Sequence, residues 1–262
     1  MSVAATLART REAGRAALIG YLPVGYPDPD TSLAAVRALV EGGVDIVELG
    51  LPYSDPLMDG PVIQHAVEES LRAGTRTRDV FPAVTAVVGA GAPALVMTYW
   101  NLVDRYGVEP FAADLARAGG SGLITPDLIP DEAADWLVAA DKHDLDRVFR
   151  VAPSSTDARL ARTSGSCRGF VSAASTMGVT GTRDRVGEGA RELVERTRAV
   201  TGLPVCVGLG VSNAEQAAEV AAFADGVIVG SAFVRALGSA PGAAGVDAVR
   251  AVAVDLAAGV RR

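Results

Sequence analysis

Between Val47 and Gln64 the chain reads VELGLPYSDPLMDGPVIQ, placing the carboxylates Glu48, Asp55 and Asp59 in a stretch with no lysine or arginine. A carboxylate set against apolar neighbours costs free energy, so it ordinarily has a partner or a task. Glu48 lies within the apolar run DIVELG, and desolvation there should raise its pKa toward a range useful for donating and accepting protons. Its plainer alternative is a core glutamate hydrogen-bonded to backbone. Asp59, in MDGP, stands before the helical pattern PVIQHAVEESLRAG, where it could equally cap the helix. Asp55, in SDP, reads more readily as a turn-former than as a catalyst.

The rest of the inventory narrows the chemistry. Lys142 is the only lysine and precedes the fifth candidate strand, so a Schiff-base mechanism lacks its nucleophile. The two histidines, His65 and His143, form no cluster with metal-ligand spacing, and no metal site is expected. General acid–base work by carboxylates remains.

Such groups need a scaffold. Short β-branched runs recur at 17–23, 45–50, 93–99, 122–127, 146–152, 169–174, 204–210 and 225–231, separated by amphipathic stretches such as DTSLAAVRALVEGG. Eight such alternations, with near-continuous apolar strands, predict an α/β fold: a (β/α)8 barrel spanning 1–262 as one domain, with an extra N-terminal helix. An open doubly wound sheet is the alternative. In a barrel, chemistry gathers where the strands end, which places Glu48 at the end of the second strand and Asp55 and Asp59 in the loop beyond it.

Three glycine-rich loops fall on that same face: MGVTG (177–181), GLGVS (208–212) and GSAF (230–233). Glycine lets backbone approach an anion, and helix starts offer unpaired N–H groups. Their positions after the sixth, seventh and eighth strands predict a phosphorylated substrate.

Bulk properties agree. With 49% hydrophobic residues the chain can bury a large core without disulfides, so Cys167 and Cys206 read as small core residues. A net charge of -7 argues against nucleic-acid binding. No run reaches membrane-spanning length and no signal peptide is evident, so a cytoplasmic location is expected.

The motif ELGLPYSDPLMDGPVIQ closely resembles the signature of the tryptophan synthase alpha subunit family. The likeness continues through GYLPVGYPD, MTYWN, PDLIPDE, GVTG, GLGVS and VGSAF. The resemblance implies a lyase that cleaves indole-3-glycerol phosphate by a retro-aldol reaction to indole and glyceraldehyde 3-phosphate, without cofactor, in an α2β2 complex with a beta subunit. It assigns Glu48 as the principal acid–base group and Asp59 as the second catalytic carboxylate. It places Gly181, Gly208, Gly210, Gly230 and Ser231 at the phosphate, Tyr21, Tyr99 and Thr180 at the pocket or its closing loop, and Asp55 toward the beta partner. On this reading the acids lack a cation because the transition state supplies one.

Two positions depart from the family pattern. Ser172 stands where a tyrosine is usual, removing a ring and a phenol beside the site, and Pro23 replaces an expected polar residue. Ser172 keeps open a largely non-catalytic partner that activates a beta-type subunit; a different phosphate-binding barrel enzyme is a separate alternative.

Overall fold

The computed structural model describes residues 2–174, 186–208 and 210–261. Eight parallel strands close into a barrel in chain order: β1 Ala17–Pro23, β2 Ile46–Gly50, β3 Ala94–Met97, β4 Gly122–Thr125, β5 Asp146–Val151, β6 Val171–Ala174, β7 Val205–Gly208 and β8 Gly226–Val229. Each lies within a run named from the sequence; β1 fills its run and the others are shorter by one to three residues. The trimming has local causes: β3 stops at Met97, for instance, because Tyr99 is already the N-cap of the helix Trp100–Tyr106.

Alternation along each strand sorts the side chains. Ile19, Ile46, Leu95, Ile124, Val148, Phe170 and Cys206 form one buried cluster, the barrel interior. Leu18, Val47, Val96, Phe149, Val171 and Val227 point outward into a second cluster shared with the surrounding helices. The expected N-terminal helix, Val3–Glu12, is capped by Ser2, whose hydroxyl accepts the Ala5 N–H at 3.2 Å. Its Val3 and Leu7 join the interior cluster and close one end of the barrel.

Acidic residues at the strand beginnings serve a structural purpose. Asp45, just before β2, receives both Arg15 guanidinium nitrogens at 2.7 Å and the Leu18 N–H at 2.9 Å. Asp225, before β8, accepts the Val205 N–H at 2.8 Å and Arg198 at 3.0 Å. These carboxylates have their cations beside them and lock the strand register. They mark the contrast with Glu48, the middle residue of β2. Among the described residues no helix is long and apolar enough to cross a membrane.

Candidate active site

Two residues beyond the interior cluster, the inward positions form the floor of the barrel's C-terminal mouth: Tyr21 on β1, Glu48 on β2, Met97 on β3, Arg150 on β5, Ser172 on β6 and Gly208 on β7. The strand register sets Tyr21 against Glu48 and Arg150 against Ser172.

Glu48 is 3% exposed, and its Oε1 finds no hydrogen-bond partner among the described residues. The alternative of a backbone-satisfied core glutamate therefore fails for that oxygen. Burial pushes the Glu48 carboxyl up to about 7, with the Arg150 guanidinium pulling the other way. Asp59 is also raised by burial and lowered by Arg150. Both carboxylates feel one guanidinium, and both act on the buried Tyr21 hydroxyl, whose pKa rises through burial and then through Asp59 and Glu48. The two acids thus share the same electrostatic neighbours, Arg150 and Tyr21.

Asp59 does not cap the following helix. Gly60 is the N-cap of Pro61–Arg72 and provides no side-chain bond, while only the backbone carbonyl of Asp59 is engaged, accepting from Gln64 Nε2 at 2.7 Å. Its carboxylate therefore has no capping role.

Tyr99 is 5% exposed and anchors the acidic loop: its hydroxyl accepts the Met58 N–H at 3.0 Å, and its ring packs on Tyr53 with centroids 5.0 Å apart. Met58 adjoins Asp59, so Tyr99 fixes where that carboxylate points. Tyr99→Phe should leave the Met58 N–H without its acceptor, costing about 0.5–1.5 kcal/mol. Denaturant unfolding should register that loss, and kcat should fall about 3- to 10-fold as Asp59 loosens. An unchanged kcat would remove Tyr99 from the positioning of the loop.

Tyr21 has its place because residue 50 is glycine; a Cβ there would overlap the Tyr21 ring and hydroxyl. On the opposite flank, a Cβ at Gly230 would stand 3.2 Å from Tyr21 Cδ1, so the turn after β8 abuts the same ring. Ser231 begins the helix Ser231–Leu237, and β7 joins β8 through Gly208 opposite Ile228, which brings the two turns side by side. Gly210 adopts φ +67°, a left-handed conformation that favours glycine. Thr180 and Gly181 lie outside the described residues.

The remaining sequence candidates take ordinary places. Asp55 is exposed and accepts the Ser54 hydroxyl at 2.6 Å, as a turn residue would. His65 is an exposed helix residue 3.4 Å from Glu69. Lys142 pairs with Glu109 before β5, away from the mouth. Cys167 and Cys206 are buried free thiols, both raised by burial.

Arg150 is the residue that sequence reasoning missed, and it corrects the expectation that the acids stand without a cation. The signal was present: Val148 and Arg150 share one face of β5, so an inward valine implies an inward arginine. The near-continuous run VFRV concealed which face was which.

A closed parallel barrel with a buried glutamate whose Oε1 lacks a hydrogen-bond partner among the described residues, and glycines at the ends of β7 and β8, defines a (β/α)8-barrel enzyme suited to acid–base chemistry. A family model described as tryptophan synthase alpha chain matches residues 7–258. The chain is 61% identical over 259 residues to the tryptophan synthase alpha chain of Thermobifida fusca, covering 97% of this chain and 96% of that one. It is 60% identical over 259 residues to that of Nocardia farcinica, covering 99% and 96%. A solved structure of Mycobacterium tuberculosis tryptophan synthase superposes with a TM-score of 0.93 at 58% identity, covering 99% of this chain and 98% of that one. A Legionella pneumophila tryptophan synthase alpha subunit keeps a TM-score of 0.89 at 28% identity, covering 99% and 98%.

The chain belongs to the tryptophan synthase alpha chain family. It is a carbon–carbon lyase of tryptophan biosynthesis, and its reaction is the alpha reaction, cleavage of indole-3-glycerol phosphate.

Proposed function

We propose that Glu48 carries the proton in this cleavage and that Asp59 stabilises the cation it generates. The bond to indole breaks once the ring carbon accepts a proton, which leaves a cationic indolenine. Protonated Glu48 donates to that carbon, and the resulting carboxylate takes the proton of the side-chain hydroxyl as the aldehyde forms, returning Glu48 to its starting state. Asp59, ionised beside the ring nitrogen, offsets the positive charge electrostatically. The observation that carries this reading is Glu48 itself: buried, with Oε1 unsatisfied and a carboxyl near 7.

The glycerol phosphate is assigned to Gly181, Gly208, Gly210, Gly230 and Ser231, and Tyr21, Tyr99 and Thr180 are assigned to the rest of the substrate site. That clamp orients the substrate so that little motion separates binding from reaction. The chain acts as one domain, residues 1–262, in the cytoplasm, and joins a tryptophan synthase beta subunit as α2β2. The loop bearing Asp55 faces that partner. Leu57, 82% exposed, and Met58, 48% exposed, give this loop an apolar surface that a partner would cover.

Because the reacting form has Glu48 protonated, kcat/KM for indole release should fall as pH rises through about 7. It should fall again at low pH as Asp59 protonates. Indole release from indole-3-glycerol phosphate, measured with and without added beta subunit, tests the whole reading. Release by the chain alone, accelerated by the partner, is expected. Stimulation of the beta reaction with no release under either condition would favour a non-catalytic partner instead.

A further inference from the structure

We propose that Arg150, held on the inward face of β5 beside Ser172, is a positioning residue that tunes the working pH range of the Glu48 and Asp59 pair. This rests on the acid–base roles given to those two carboxylates above.

Geometry puts Arg150 at the mouth. It follows Val148 of the interior cluster by two residues, and its register neighbour on β6 is Ser172, whose small side chain leaves the guanidinium room. Its Nη1 donates to Met58 Sδ at 3.2 Å. Met58 adjoins Asp59 and is itself held by Tyr99, so Arg150 is tied to the loop that carries the second acid.

Arg150 forms no ion pair with either carboxylate among the described residues. Its charge acts across the mouth, where low dielectric strengthens it, and no single contact neutralises it. Arginine stays charged there, since burial lowers its pKa from a value far above neutrality. The other titratable groups facing the pair are Tyr21 from β1, Tyr99 from the loop after β3 and Cys206 from β7. Burial raises all three, so they are uncharged near neutral pH. Arg150 is the only described cation that acts on Glu48 or Asp59.

The arrangement carries a cost. A guanidinium near the ring opposes the developing indolenine cation, so its benefit must come through the acids. It keeps Asp59 ionised despite burial, and it stops Glu48 from rising so far that it becomes a poor proton donor to the ring carbon.

The test compares pH profiles of kcat/KM for indole release by the unsubstituted protein, Arg150→Met and Arg150→Lys, each with its beta subunit. Removing the charge should move both limbs to higher pH by about one unit. Lysine should leave them near their original positions. A folded Arg150→Met with unmoved limbs, or Met and Lys variants that shift alike, would overturn the proposal. If Arg150→Met does not fold, Arg150→Gln, which keeps a donor without the charge, reads the same shift. The outcomes separate from those for the underlying roles: an active Glu48→Gln sinks the acid–base assignment itself. An inactive Glu48→Gln with unmoved limbs in Arg150→Met sinks only the tuning.

Discussion

Glu48→Gln should abolish measurable indole release while leaving substrate affinity nearly intact. Glutamine keeps the size and shape of the side chain and removes only the proton that must reach the ring carbon. Positioned acid–base groups contribute about 10²- to 10⁴-fold, or about 3 to 5 kcal/mol of barrier. Here one carboxyl both gives and takes the proton, so the loss should fall at the upper end of that range. Binding should survive because the residues proposed to grip the phosphate, Gly208, Gly210, Gly230 and Ser231, lie outside β2. Comparable turnover by this variant would exclude Glu48 as the proton carrier.

The same substitution should stabilise the fold at alkaline pH. The carboxyl is raised from an ordinary value of 4.5 to about 7 in the folded protein. The folded state therefore holds the proton more tightly than the unfolded chain. The stability it contributes is full below about 4.5 and lost as pH rises through about 7, a difference on the order of 3 kcal/mol. Glutamine never ionises and escapes that penalty. Unfolding of Glu48→Gln should thus require more denaturant than the natural protein at pH 8, with the advantage vanishing near pH 4. The proposed proton carrier is held at the expense of stability.

Asp59→Asn should reduce kcat by about 10²- to 10³-fold, the range for losing one preorganised electrostatic partner of a transition-state charge. The amide presents a dipole where a full negative charge is needed, and the shape of the loop should persist. Thermal stability should stay within about 1 kcal/mol of the natural protein, because Gly60 and not Asp59 caps the helix Pro61–Arg72. A large loss of stability with little change in kcat would restore the capping role and remove Asp59 from catalysis.

The barrel was legible because its eight strands are short, β-branched and separated by helical periodicity, and local pattern alone suffices for that. Glu48 was legible for a related reason: a glutamate inside an apolar strand has few ordinary uses. Asp59 was ambiguous in sequence, since an acid before a proline-led helix fits a cap as well as a catalyst. The placement of Gly60 at the cap removes the first of these. Arg150 was hidden because inward and outward positions of β5 are both apolar around it, and because its electrostatic influence on Glu48 runs from β5 to β2, a relation no local pattern records. Tyr99 was assigned to the pocket, but its hydroxyl bond to Met58 depends on a loop path that spacing does not specify.

The most direct measurement is the titration of the Glu48 carboxyl itself, read as the infrared difference spectrum between the natural protein and Glu48→Gln across pH 4 to 9. A protonated carboxyl band lost with a midpoint near 7 is the result this account predicts. A midpoint near 4.5 would mean that Glu48 is fully ionised at neutral pH, with no proton to give the indole ring.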